Sequence, residues 1–233
     1  QILAIGAFPG IREMTLGFLA VFLISASALI LNDYFDVESD RINAPDRPVP
    51  SGLVTLNEVL ILFALVSLVG FILGYLIDLQ ALMVLILVWL VGVLYNWRFK
   101  HFGLIGNLMV SFSVGMTFIF GGVVVGWVGQ PALLFFSLWA FLINLGEEIA
   151  ADANDLTGDQ QAGSRSLAVR FGSRTALRIS SGIFLLVAAA SPIPFLVGWL
   201  EWIYFVPLAM ADIVILYSLV QLQTAEESQR RKI

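Results

Sequence analysis

The sequence has no cysteine and only one histidine, His101, among its 233 residues. Without thiols, disulfides and thiolate metal sites are excluded. A single imidazole rules out a multi-histidine metal centre and gives no basis for a Ser-His-Asp triad, so His101 is read as a surface residue. Charge is scarce as well: 12% of the residues are charged against 59% hydrophobic, and the mean hydropathy is +0.93. That balance excludes an ordinary soluble domain. The basic residues are scattered among carboxylates, which excludes a nucleic-acid surface, and the net charge of -5 reflects acids concentrated in two clusters.

What the sequence has in abundance is apolar runs of membrane-spanning length. Seven are read, at 14–32, 55–77, 80–97, 105–128, 131–151, 176–198 and 203–222. The fold class is therefore an all-α integral membrane protein, a bundle of transmembrane helices in one domain over 1–233. Eleven of the 12 Lys and Arg residues fall on one side of these spans, and only Arg12 on the other. The positive-inside rule makes the richer side cytoplasmic. Two long loops, 37–54 and 153–175, lie on that side. The chain opens at Gln1 in an apolar stub without a charged leader, so a signal peptide is not expected.

Each loop follows an acidic triplet. Asp33, Asp36 and Asp40 recur in spacing as Asp152, Asp155 and Asp159. At about 100° per residue, such positions lie within roughly 60° of one another on a helix, so each triplet predicts one acidic stripe. Such a stripe repels itself unless a cation sits on it. Oxygen ligands without nearby His or Cys suit a hard ion such as Mg²⁺, which completes its shell with water and substrate phosphate. An arginine follows each triplet, Arg47 and Arg165, so the two segments read as a pseudo-repeat. Glu148 shares the stripe of Asp152, whereas Glu147 is rotated away from it. Asp212, within the last span, is read as a protonated or hydrogen-bonded structural group. The pairs Gly70/Gly74 and Gly122/Gly126 predict close helix packing.

The string NDYFDVESDRINAPDRPVPSG at 32–52, YNWRFK at 95–100, Gly106-Asn107 and DANDLTGDQQAGSRSLAVRFG at 152–172 occur in the order expected of the UbiA superfamily of intramembrane prenyltransferases. The resemblance covers nearly the whole chain. It implies nine transmembrane helices around a central cavity, of which the seven spans here are the second to the eighth, with most of the first and all of the last missing. It also implies Mg²⁺-dependent transfer of a prenyl group from an allylic diphosphate, here geranylgeranyl diphosphate, to a lipophilic acceptor.

The first motif is most similar to the archaeal ether-lipid branch of the family, which points to geranylgeranylglyceryl phosphate as acceptor. Glu147 and Ala151 stand where that branch carries Arg and Lys. The resemblance assigns two Mg²⁺ ions, one on Asp33, Asp36 and Asp40 and one on Asp152, Asp155 and Asp159. Asn32, Arg47, Lys100 and Arg165 are expected on the diphosphate, and Tyr95 beside the allylic cation. Phe18, Phe22, Phe112 and Phe118 are candidate liners of the prenyl tail. The expected partners are these two substrates and membrane lipid, with no protein partner predicted. An aromatic acceptor is the alternative within the family. A divalent-cation transporter is the alternative outside it, disfavoured because the acids lie at one face and not at the bilayer midplane.

Overall fold

The computed structural model describes residues 8–127, 129–161 and 163–224, and every regular element among them is helical. In chain order these are α1 (Ile11–Phe35), α2 (Val37–Asn43), α3 (Leu56–Ile77), α4 (Leu79–Leu94) and a π-helix (Tyr95–Phe99). They are followed by α5 (Leu104–Val124), α6 (Pro131–Asn154), α7 (Leu156–Gln161), α8 (Leu167–Phe171) and α9 (Ser173–Ala190). The short α10 (Ile193–Leu196), a 3₁₀ turn (Trp202–Tyr204) and α11 (Phe205–Thr224) complete the order.

Six stretches among the described residues are long and apolar enough to cross a membrane: Ile11–Phe35, Leu56–Ile77, Leu79–Phe99, Leu104–Val124, Pro131–Asn154 and Ser173–Leu196. They match the first six predicted spans. The third is longer than the sequence pattern indicates, because the π-helix continues α4. The seventh predicted span, 203–222, is also helical, but its apolar part among the described residues, Trp202–Ser218, falls short of spanning length. Large apolar side chains such as Leu29 and Ile61 face outward, 71% and 59% exposed, as lipid contact requires.

The chain divides into two compact units, one formed by residues 1–100 and 116–134, the other by 101–115 and 135–233. In the first, Ala20 and Ile24 of α1, Ala81 and Leu85 of α4, and Phe120, Val123 and Val124 of α5 form the buried core. α3 lies along α1, and glycines set the approach: a Cβ on Gly70 would come within 2.9 Å of Ile24 Cδ1, and one on Gly74 within 2.6 Å of Leu85 Cδ1. The expected packing role of Gly70/Gly74 is thus met. Gly122 likewise abuts Leu133, but Gly126 has open space around it. Gly126 instead ends α5: at φ 73° its N–H donates to Val123 O, while Trp127 N–H donates to Gly122 O, the paired bonds of a Schellman cap.

Thr55 and Glu58 cap the start of α3 reciprocally, with Thr55 N–H donating to Glu58 Oε2 at 2.8 Å and Glu58 N–H to Thr55 Oγ1 at 3.3 Å. Asp78 alone separates α3 from α4, and its Oδ1 accepts from Ala81 N–H at 2.6 Å.

In the second unit, Leu145, Ile149 and Ala153 of α6 pack with Ala168 of α8 and with Ala176 and Leu177 of α9. Three side chains pin α6 to α9. Ser173 Oγ donates to Ala153 O, Ser180 Oγ to Gly146 O, and Trp139 Nε1 to Val187 O. Asp212 accepts a 2.6 Å hydrogen bond from Ser191 Oγ, which supplies the partner a carboxyl group needs within an apolar helix.

Candidate active site at two helix bends

Both acidic triplets sit on the same local structure. α1 ends at Phe35 and α2 begins at Val37, so Asp36 occupies a bend, at φ -89° and ψ 0°. Helical hydrogen bonding nevertheless runs through it: Asp36 N–H donates to Asn32 O at 2.9 Å, and Asp40 N–H to Asp36 O at 2.8 Å. α6 ends at Asn154 and α7 begins at Leu156, leaving Asp155 in the equivalent place. There Asp155 N–H donates to Ala151 O at 3.0 Å and Asp159 N–H to Asp155 O at 2.9 Å. The sequence predicts one stripe per triplet. The structure keeps the helical spacing and turns the axis at the middle aspartate.

The first set is held by cations from elsewhere in its unit. Asn32 Nδ2 donates to Asp36 Oδ2 at 2.8 Å, and Lys100 Nζ donates both to Asn32 Oδ1 at 2.9 Å and to Asp36 Oδ2. This pair is mostly shielded from solvent, with the Lys100 and Asp36 side chains 27% and 19% exposed. Arg47 folds back from the proline-rich loop and donates to Asp40 Oδ2 at 2.7 Å. Asp40 is buried, and its carboxylate raises the Arg47 pKa above the ordinary guanidinium value. Asp33, one turn before Asp36, is exposed.

Lys100 owes its position to the π-helix. Its N–H donates to Tyr95 O at 2.9 Å, a bond spanning five residues instead of four. The extra residue rotates everything after it by about 100° relative to a continuous α-helix. Asn96 anchors this turn, donating through Nδ2 to Ala28 O on α1 and to Gly92 O, each at 3.1 Å. Tyr95 begins the π-helix and is half-buried.

The second set is built differently. Asn107, buried on α5, donates through Nδ2 to Asp152 Oδ2 at 2.9 Å. Ser111 Oγ in turn donates to Asn107 O at 2.6 Å and contacts Asn144 Oδ1 at 3.1 Å. Asp155 is exposed, whereas Asp159 Oδ2 and Asn154 Oδ1 are buried atoms without a hydrogen-bond partner. Glu148 is half-buried and Glu147 exposed. Among the described residues no Lys or Arg pairs with Asp152, Asp155 or Asp159.

Arg165 does not repeat the behaviour of Arg47. Its guanidinium lies 5.5 Å from the centre of the Phe102 ring, and its N–H donates to His101 O at 3.0 Å. Gly103, at φ 59°, makes this approach possible, since a Cβ there would run into the Arg165 carbonyl. Asn107 carries no expected role in the sequence reading beyond its place in the Gly-Asn pair. That pair was the only signal for it.

Among the described residues no three carboxylates gather into a closed metal cage. That arrangement is compatible with Mg²⁺, which is usually bound through one or two carboxylates, with water and substrate phosphate supplying the rest. The first unit also contains an apolar cavity of about 730 Å³ lined by Gly17, Phe18, Phe22, Phe118, Gly121 and Leu133, among others. Three of the four phenylalanines expected to line a prenyl tail are in its wall. The fourth, Phe112, is not.

The UbiA prenyltransferase family pattern matches residues 2–233. The chain belongs to the UbiA prenyltransferase family. It is 35% identical over 206 residues to the digeranylgeranylglyceryl phosphate synthase of Methanosphaera stadtmanae, covering 88% of this chain and 75% of that protein. Among solved structures, a digeranylgeranylglyceryl phosphate synthase superposes with a TM-score of 0.83 at 29% identity, covering 99% of this chain and 82% of that one. A UbiA homolog from Archaeoglobus fulgidus bound to DMAPP and Mg²⁺ superposes with a TM-score of 0.77 at 18% identity, covering 95% and 80%. At that identity the second structure establishes the shared fold. As a UbiA member the chain is a membrane-embedded prenyltransferase.

Proposed function

We propose that this UbiA enzyme transfers a geranylgeranyl group from its diphosphate to geranylgeranylglyceryl phosphate, with Mg²⁺ on both acid sets and the reacting end at the cytoplasmic face. The observation that carries the reading is the duplicated bend, which presents oxygen donors at two helix ends with the same backbone hydrogen-bond pattern. The likeness to digeranylgeranylglyceryl phosphate synthases supports the choice of substrates. The majority of basic residues on the acid-bearing side supports the orientation.

The second set has the features a hard cation needs. Asp159 Oδ2 and Asn154 Oδ1 lack partners, and Gly158 keeps space beside Asp155, whose two carboxylate oxygens would lie 2.8 Å from any Cβ at that position. Asp33, Asp36 and Asp40 offer the matching carboxylates in the first set. Bound Mg²⁺ supplies neutralisation of the negative charge that grows on the departing diphosphate.

The residues around it do the rest. Lys100 and Arg47 are assigned to phosphate oxygens, to which they would move from Asp36 and Asp40, and Arg165 is assigned the same task from its seat on Phe102. As the allylic C–O bond breaks, its electron pair leaves with the diphosphate, and the acceptor hydroxyl oxygen bonds to the carbon and gives up its proton to the departing diphosphate. Tyr95 is assigned to face the transient cation. The apolar spans exclude water, which would otherwise capture it.

The test is incubation of the purified protein with radiolabelled geranylgeranyl diphosphate and geranylgeranylglyceryl phosphate, with and without Mg²⁺. Mg²⁺-dependent doubly prenylated lipid is the expected product. Glu147, exposed where the ether-lipid branch carries arginine, makes an aromatic acceptor the second reading. Prenylation of a hydroxybenzoate or naphthoate in place of the lipid would replace the first reading with the second.

A further inference from the structure

The two acid sets share a backbone hydrogen-bond pattern but differ in what neutralises them. In the first, Lys100 already occupies the oxygens of Asn32 and Asp36, and Arg47 occupies one of Asp40. In the second, among the described residues no basic side chain pairs with any of the three aspartates, and Asp159 Oδ2 is buried without a partner.

We propose that Lys100 is a displaceable internal counter-ion that makes the two acid sets load in order: the second binds a divalent cation by itself, the first only when diphosphate draws Lys100 away. The inference rests on the proposed diphosphate role of Lys100. An ammonium at hydrogen-bond distance from Asp36 repels a divalent ion approaching the same carboxylate, and the shielded setting of the pair strengthens that repulsion. Diphosphate offers Lys100 oxygens of higher charge. Once the ammonium moves, Asn32 Oδ1 is released and Asp36 Oδ2 keeps only the bond from Asn32 Nδ2. The π-helix fixes the backbone of Lys100, so the movement is confined to its flexible side chain.

Linkage makes the effect reciprocal: whatever diphosphate adds to cation affinity at the first set, the cation adds to diphosphate affinity. The probe is Mn²⁺, titrated into the full chain in detergent and followed by the electron paramagnetic resonance of the free ion, with and without inorganic pyrophosphate. The wild type is expected to bind one Mn²⁺ alone, and to gain a second with pyrophosphate at an affinity raised roughly 5- to 150-fold. Asp155→Asn should remove the pyrophosphate-independent ion. Lys100→Gln and Lys100→Ala should each bind the second ion without pyrophosphate, whereas Lys100→Arg keeps the wild-type order.

Equal binding of two ions by the wild type without pyrophosphate overturns the inference. So does a Lys100→Gln or Lys100→Ala protein that is folded, binds Mn²⁺ and has an unchanged pyrophosphate requirement, and both results leave the proposed function standing. Absence of Mn²⁺ binding to the wild type even with pyrophosphate would remove the metal assignment itself, and the loading order with it.

Discussion

Replacing Asn107 by alanine removes the side chain that holds Asp152, 45 positions away in the sequence. The lost bond is 2.9 Å long and runs from a buried amide to a carboxylate. Hydrogen bonds to charged groups contribute about 1.5–3 kcal/mol. At about 1.4 kcal/mol per factor of ten, that corresponds to a loss of roughly 10- to 150-fold in whatever Asp152 binds. The range overlaps the 10- to 100-fold typical of groups that orient a metal ligand. The assay is the Mg²⁺ dependence of prenyl transfer at saturating substrates: Asn107→Ala should shift half-saturation to higher Mg²⁺ while much of the maximal rate returns at high concentration. Asn107→Asp, similar in size but placing a like charge against Asp152, should shift it further. A folded Asn107→Ala protein with the wild-type Mg²⁺ requirement would refute the reasoning, because it would show that Asp152 needs no support to bind or is not a ligand.

Asp36→Asn and Asp155→Asn should each abolish most turnover while leaving thermal unfolding close to wild type; near-normal turnover at saturating Mg²⁺ in either would remove that bend from the metal assignment. Gly74→Leu forces a side chain against Leu85 and is expected to destabilise the first unit by about 1–3 kcal/mol, read as a lowered unfolding midpoint in detergent. Thr55→Ala breaks the reciprocal cap of α3, and a loss of about 1 kcal/mol should follow on the same measurement.

The acid-bearing helix ends were legible because spacing and apolar length are one-dimensional properties. Asp33, Asp36 and Asp40 declare themselves by interval, and the spans end close to where the apolar runs stop. The bends were not legible, since Asp36 and Asp155 keep helical hydrogen bonds on both sides and no proline or glycine marks the change of axis. The π-helix at Tyr95–Phe99 escaped for a related reason: its signature is a five-residue hydrogen bond, and YNWRF differs in no composition rule from an α-helical end. Arg47 and Arg165 follow their triplets at similar distances in the sequence, yet Arg47 meets Asp40 while Arg165 lies over Phe102. Which partner a flexible cation finds depends on neighbours far along the chain, and the spacing from the last acid carries no trace of them.

The junction of α3 and α4 bears on how the chain enters the bilayer. Asp78 alone connects the two helices, and nearby Arg12 donates to Leu76 O at 2.8 Å, so the lone basic residue assigned to the far side caps the helix end at that turn. A one-residue link leaves neither helix free to turn over by itself. Both are therefore expected to insert as a hairpin with a single shared decision of orientation. Basic residues added beside Asp78 should invert the pair together or not at all, and glycosylation acceptors placed at Thr55 and Lys100 would report the two ends moving in step.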